Sequence, residues 1–223
     1  MAPPLGAQPR VLVVSSALLV TLPVFLQAPW VRLSPASATV FTAVLVAVGV
    51  VLADSPEPQR QRLGSLLVGF AGSWLAGSLF WGWARLHPLW HLPIEAFALP
   101  LALAGLGGRW RLGCGFYLGS LLGTAATDAA IAATGLMPFW PQALAAAPGQ
   151  AGRILQGAGL RVLEPSSLLV VAGAAALLLL LSRWLWQRGE VGRVASAALS
   201  TTLAVDGIFL LAALLAPRLS GLI

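Results

Sequence analysis

The sequence predicts an all-α fold, a single bundle of about seven membrane-spanning helices. Three observations carry this. Of 223 residues, 58% are hydrophobic and 9% charged, with mean hydropathy +0.88, where a soluble domain carries roughly 25% charged residues. Apolar runs of about 20 residues, one bilayer crossing at 1.5 Å per residue, recur along the whole chain. The breaks between them are short and carry turn chemistry: RLSP, ADSPEPQRQR, RLHP, GGRWR and QRGEVGR.

The runs follow in order. The first, 11 to 31, succeeds MAPPLGAQPR and is too long for a signal-peptide core, with no clear small-residue cleavage site after it, so it reads as a retained membrane segment. The second, 35 to 53, and the third, 63 to 84, are continuous; Trp74 in the third is the one tryptophan expected at mid-membrane. The fourth, 89 to 106, is proline-rich, with Pro88, Pro93 and Pro100. An internal proline removes one helical hydrogen bond, so Pro93 is expected to free the carbonyl of Leu89 and bend the helix between His91 and Glu95.

The fifth, 112 to 134, carries Gly115, Gly119 and Gly123 as one stripe and Ser120, Thr124 and Asp128 as the next. A glycine stripe lets a neighbouring helix backbone come close, so this segment is expected at the bundle centre. Residues 135 to 165 form the only long connection. Ile154, Leu155, Leu160 and Leu163 alternate there with Arg153 and Arg161, which suits an interfacial helix or a lid, although its glycines oppose helix. The sixth and seventh runs, 166 to 187 and 194 to 216, complete the bundle.

Orientation follows from arginine, since basic short loops stay cytoplasmic. Arg10, Arg60, Arg62, Arg109, Arg111, Arg183, Arg188 and Arg193 fall on one side, eight in all, against five on the other: Arg32, Arg85, Arg153, Arg161 and Arg218. The N-terminus is therefore expected inside and the long connection outside. These thirteen arginines are scattered singly between apolar runs, which argues against a nucleic-acid partner and for the lipid bilayer as the main one. A single cysteine, Cys114, excludes an intramolecular disulfide, a cysteine-based zinc site and a cysteine-ligated iron–sulfur cluster.

Charge inside a bilayer is costly and marks function by default. Glu95, Asp128 and Asp206 fall inside predicted crossings. A hairpin of the fourth and fifth segments sets Glu95 and Asp128 at similar depth, about 9 Å in, where they could share a site. Asp128 can equally serve to crosslink helices. Thr202 stands four residues before Asp206 as Thr124 stands before Asp128, an echo too small to establish a duplicated half.

His87, His91 and Glu95, spaced four apart, would share one helix face. Such a pair could hold a metal ion or a tetrapyrrole, but an interfacial or hydrogen-bonding role is the preferred reading, and no metal site is assigned. No zinc-protease, catalytic-triad, phosphate-loop or dinucleotide motif occurs, so an intramembrane enzyme using these carboxylates and histidines for acid–base chemistry ranks third, with no motif behind it, and no cofactor is specified.

The runs HLPIEAFALP and FYLGSLLGTAATD, within residues 79 to 141, resemble a family of uncharacterised multi-pass membrane proteins of cyanobacteria, a domain of unknown function. The resemblance implies a photosynthetic prokaryote and a plasma or thylakoid membrane, and supplies no activity. Two function classes remain. In one, Glu95, Asp128, Thr124 and Asp206 bind a proton, cation or small solute for transport or permeation, with His91 and Arg85 towards the outer mouth. In the other, the same residues hold a pigment, a quinone or a membrane-protein subunit in biogenesis of the photosynthetic membrane.

Overall fold

The structure is a computed structural model describing residues 8–216, so Arg218 of the arginine count lies outside it. All regular elements there are helical: α1 (Gln8–Leu22), α2 (Ala28–Leu33), α3 (Pro35–Ala53), α4 (Pro58–Leu79), α5 (His91–Glu95), α6 (Leu99–Gly105), α7 (Arg111–Ala133), α8 (Phe139–Ala145), α9 (Pro148–Val162), α10 (Pro165–Trp186) and α11 (Gly189–Leu215). Six helices are long and apolar enough to cross a membrane: Arg10–Leu33, Pro35–Ala53, Pro58–Ala84, Arg111–Ala133, Pro165–Trp186 and Gly189–Leu215. The chain is an integral membrane protein with an all-α fold.

Two of these helices are widened by a turn of π-helix, Pro23–Gln27 between α1 and α2 and Phe80–Ala84 after α4. The first begins at Pro23, whose missing N–H already breaks the ladder; the amide of Ala28 then bonds back to the Pro23 carbonyl, five residues away. Both widened turns send side chains into the same cavity, described below.

The expected fourth crossing, 89 to 106, is not one helix. A 3-10 turn at Pro88–Trp90, α5 and α6 replace it, separated by the turn Ala96–Ala98. Pro93 does not bend a continuous helix: it sits in the first turn of α5, and Pro100 in the first turn of α6, where the amide a proline lacks has no helical partner anyway. The break leaves backbone groups open between the two pieces. Tyr117 of α7 closes them, its hydroxyl donating to the Glu95 carbonyl and accepting from the Ala98 amide at 3.2 Å. The broken segment lies along α7, with His91 beside Asp128 at one end and Gly105 against Cys114 at the other.

Loop contacts define the two ends of the bundle. Arg109 pairs with Asp54 at 3.0 Å and Arg62 with Glu190 at 3.4 Å, gathering the turns after α3, α6 and α10 at one end. At the other end the Trp140 indole of α8 donates to the Arg85 carbonyl at 3.0 Å, and Gly159 of α9 packs on Leu214. We refer to these as the Arg109 end and the Trp140 end. The long connection forms α8 and α9 despite its glycines, and α9 buries Ala151, Gly159 and Val162 while exposing Arg153, Leu160 and Arg161.

Helix α7 is central. A Cβ on Gly119 would overlap the Ala195 carbonyl and lie 2.8 Å from its Cα, while one on Gly123 would stand 2.8 Å from Thr202. Gly113 meets the backbone of Ser65 and Gly69 on α4 in the same way. Backbones this close gain many dispersion contacts, the main source of helix affinity in lipid. Leu66, Phe70, Trp74, Leu112, Phe116 and Val194 form the core between α4, α7 and α11. Trp74 is buried there, its indole N–H donating to the Ala38 carbonyl at 2.8 Å.

Candidate functional site

Above this core, towards the Trp140 end, lies a cavity of about 350 Å³ lined by α1, α4, α5, α7 and α11. Phe70 and Phe116, with ring centroids 6.2 Å apart, line its inner part and belong to the core below. Trp81 and Trp140, stacked at 5.7 Å and 14°, border it near the Trp140 end. Such a concave, largely apolar space with a few convergent polar groups has the character of a ligand site.

Three carboxyls from three different helices line it: Glu95 of α5, Asp128 of α7 and Asp206 of α11. His91 joins two of them. Its Nδ1 lies 2.9 Å from Asp128 Oδ2 and 3.0 Å from Oδ1, and its Nε2 lies 4.0 Å from Glu95 Oε1. The α5 turn makes this possible because residues four apart on a helix share a face. Aromatic rings frame the imidazole: Phe80 at 4.4 Å, Trp140 at 5.3 Å and Trp81 at 6.5 Å between centroids. The π-turn after α4 supplies Phe80 and Trp81.

Asp206 accepts a hydrogen bond from Thr127 at 2.6 Å, one residue along α7 from Asp128. Asp128 is near enough to both Glu95 and Asp206 to act on each electrostatically. Ser120 and Thr124, the hydroxyl row beside the glycine stripe, also line the cavity, as does Thr202. Among the described residues no arginine lines it, and the chain contains no lysine. Three acidic groups and one imidazole therefore face one space, where charge within a membrane-spanning bundle calls for a partner.

Gln27 was not singled out by its sequence context, yet it is buried in the cavity wall. Its amide donates to the Trp74 carbonyl and to Ser78 Oγ at 2.7 Å, tying the first widened turn to α4. A lone amide inside the apolar run VTLPVFLQAPW was the available signal. Thr127, Trp81 and Trp140 were likewise missed as lining residues.

Two expected contributors stand elsewhere. The Arg85 side chain is exposed and does not line the cavity; only its carbonyl is engaged, by Trp140. His87 is exposed before the 3-10 turn, so it shares no helix face with His91. Among the described residues no three His, Cys, Asp or Glu side chains are disposed to hold a metal ion.

A family model described as "Protein of unknown function (DUF3120)" matches residues 16–214. No curated protein and no solved structure matches the chain.

Proposed function

We propose that this chain, which belongs to the DUF3120 family, is a membrane transport protein that binds a proton or cation in the carboxylate cavity. One observation carries the reading: Glu95, Asp128 and Asp206 converge with His91 on one cavity that, among the described residues, no arginine lines. A packing role alone would need each carboxyl matched by a donor or a cation. Among the described residues the Glu95 carboxyl is met by the imidazole alone, at 4.0 Å, and Asp128 already holds that ring at 2.9 Å. The remaining charge calls for protons or a bound cation.

Access supports the same reading. The cavity reaches from the Trp81–Trp140 stack to the Phe70–Phe116 pair, and the core beyond separates it from the Arg109 end. A site separated from one end by packed core suits one state of an alternating-access cycle. With the Arg109 end inside, as the arginine bias favours, the cavity lies in the outer half of the membrane. The membrane is the plasma or thylakoid membrane of a photosynthetic prokaryote.

Purified protein reconstituted in proteoliposomes enclosing a pH-sensitive dye tests the proposal. An imposed gradient of protons or of a monovalent cation should drive a dye response well above that of empty vesicles. A response equal to that of empty vesicles under every cation tested would refute it.

A further inference from the structure

Asp206, Thr127, Ile131 and Phe209 line the central cavity on one side and, on the other, a groove of about 270 Å³ between α7, α10 and α11. Val171, Ala174, Ala175 and Leu178 of α10 form the far wall of that groove, and Val162 of α9 lies at its edge. Among the described residues, Asp206 is the only charged one that lines it. An apolar groove thus meets a wall that carries Asp206, and Asp128 and Glu95 line the cavity on the far side of that wall.

We propose that the two compartments form one binding site for a single-chain ammonium amphiphile, with the cationic head among Asp206, Asp128 and Glu95 and the alkyl chain in the groove. This rests on the cation-site reading of the cavity and names its ligand class. The charge pattern selects the head. Three carboxyls suit an ammonium group, and the lack of any lysine or arginine among the described residues of either lining leaves a phosphate or carboxylate head without a counter-charge. The aromatic rings of Trp81, Trp140 and Phe209 add faces against which an ammonium group is attracted. The groove selects the tail, because Val171, Ala174, Ala175 and Leu178, the α10 residues that line it, offer a polar chain no side-chain hydrogen bond. Thr127 holds the Asp206 carboxyl at the shared wall, where head and tail would join.

Calorimetric titration of the protein in lipid nanodiscs, with empty nanodiscs subtracted, compares ethylammonium, hexylammonium and rubidium ions. Burying a methylene contributes ~0.8 kcal/mol, about fourfold in affinity, so hexylammonium should bind between about tenfold and a few hundredfold more tightly than ethylammonium. Ala175→Trp and Val171→Phe, which fill the groove, should each reduce hexylammonium to the ethylammonium level and leave ethylammonium unchanged; retained ethylammonium binding reports a folded variant. Asp206→Asn should weaken both ammonium ions at least tenfold. Equal affinities for the two, or a chain-length gain that survives both groove variants, would overturn the proposal. Binding of rubidium with neither ammonium ion would overturn it and leave the cation site standing; binding of no cation would remove both.

Discussion

Tyr117→Phe is the most informative single-atom change to the fold, because one hydroxyl completes the break that carries His91 and Glu95. It donates to the Glu95 carbonyl and accepts from the Ala98 amide. Phenylalanine keeps the ring, so packing is preserved while both backbone groups lose their partner. Leaving a buried group unsatisfied costs about 1–3 kcal/mol. Side-chain hydrogen bonds between membrane helices average only ~0.6 kcal/mol, since the unfolded chain in lipid finds other partners. Two groups at an intermediate cost give about 2 kcal/mol. For a chain of this length, that corresponds to a Tm about 4–8 °C lower in thermal unfolding followed by tryptophan fluorescence in detergent. A loss below about 1 °C would show that the break is held by packing alone, and the account of this segment would fail.

Further changes separate close packing from open surface. Gly119→Ala should destabilise by about 2 kcal/mol or more in the same melt, because its Cβ would overlap the Ala195 carbonyl. Gly207→Ala meets nothing within 4 Å and should be neutral or stabilising by up to ~1 kcal/mol through helix propensity. Gln27→Leu removes the donor to the Trp74 carbonyl and to Ser78 and should cost about 1–3 kcal/mol by the same measurement. For topology, an impermeant thiol reagent on intact cells should label a cysteine placed at Gln150 and spare one placed at Pro58, measured in a Cys114→Ala background.

The membrane class and most helix limits were legible because they depend on run length and turn residues, which are local. Gly115, Gly119 and Gly123 on one face announced a close helix partner, and Ala195 and Thr202 of α11 occupy that place. The fourth run misled, since its apolar length fits one crossing while its prolines start three short pieces in succession. Closure of that break depends on Tyr117, twenty-two residues from Glu95, a relation that no local pattern encodes. The same limit hid the role of His91. Spacing placed it with His87 and Glu95, but the break at Pro88 removes His87 from the set, and rotation of α7 brings Asp128 instead. The depths of Glu95 and Asp128 could be counted along a hairpin, whereas helix rotation could not. The widened turns at Pro23–Gln27 and Phe80–Ala84 shift side-chain register by one residue, so the inward positions of Gln27 and Trp81 had no signature in the hydropathy pattern.

Asp128→Asn tests the central claim most directly, because it keeps the size and hydrogen-bonding reach of the side chain while removing the proton and the charge. Asp128 holds His91 at 2.9 Å and lines the cavity, whereas His87 is exposed and outside it. In proteoliposomes loaded with a pH-sensitive dye, and with equal amounts of folded protein verified by thermal melt, Asp128→Asn should lower the gradient-driven response at least tenfold while His87→Gln leaves it within twofold of wild type. A wild-type response from Asp128→Asn would mean that this carboxyl serves packing alone, and would contradict the assignment of the cavity as a proton or cation site.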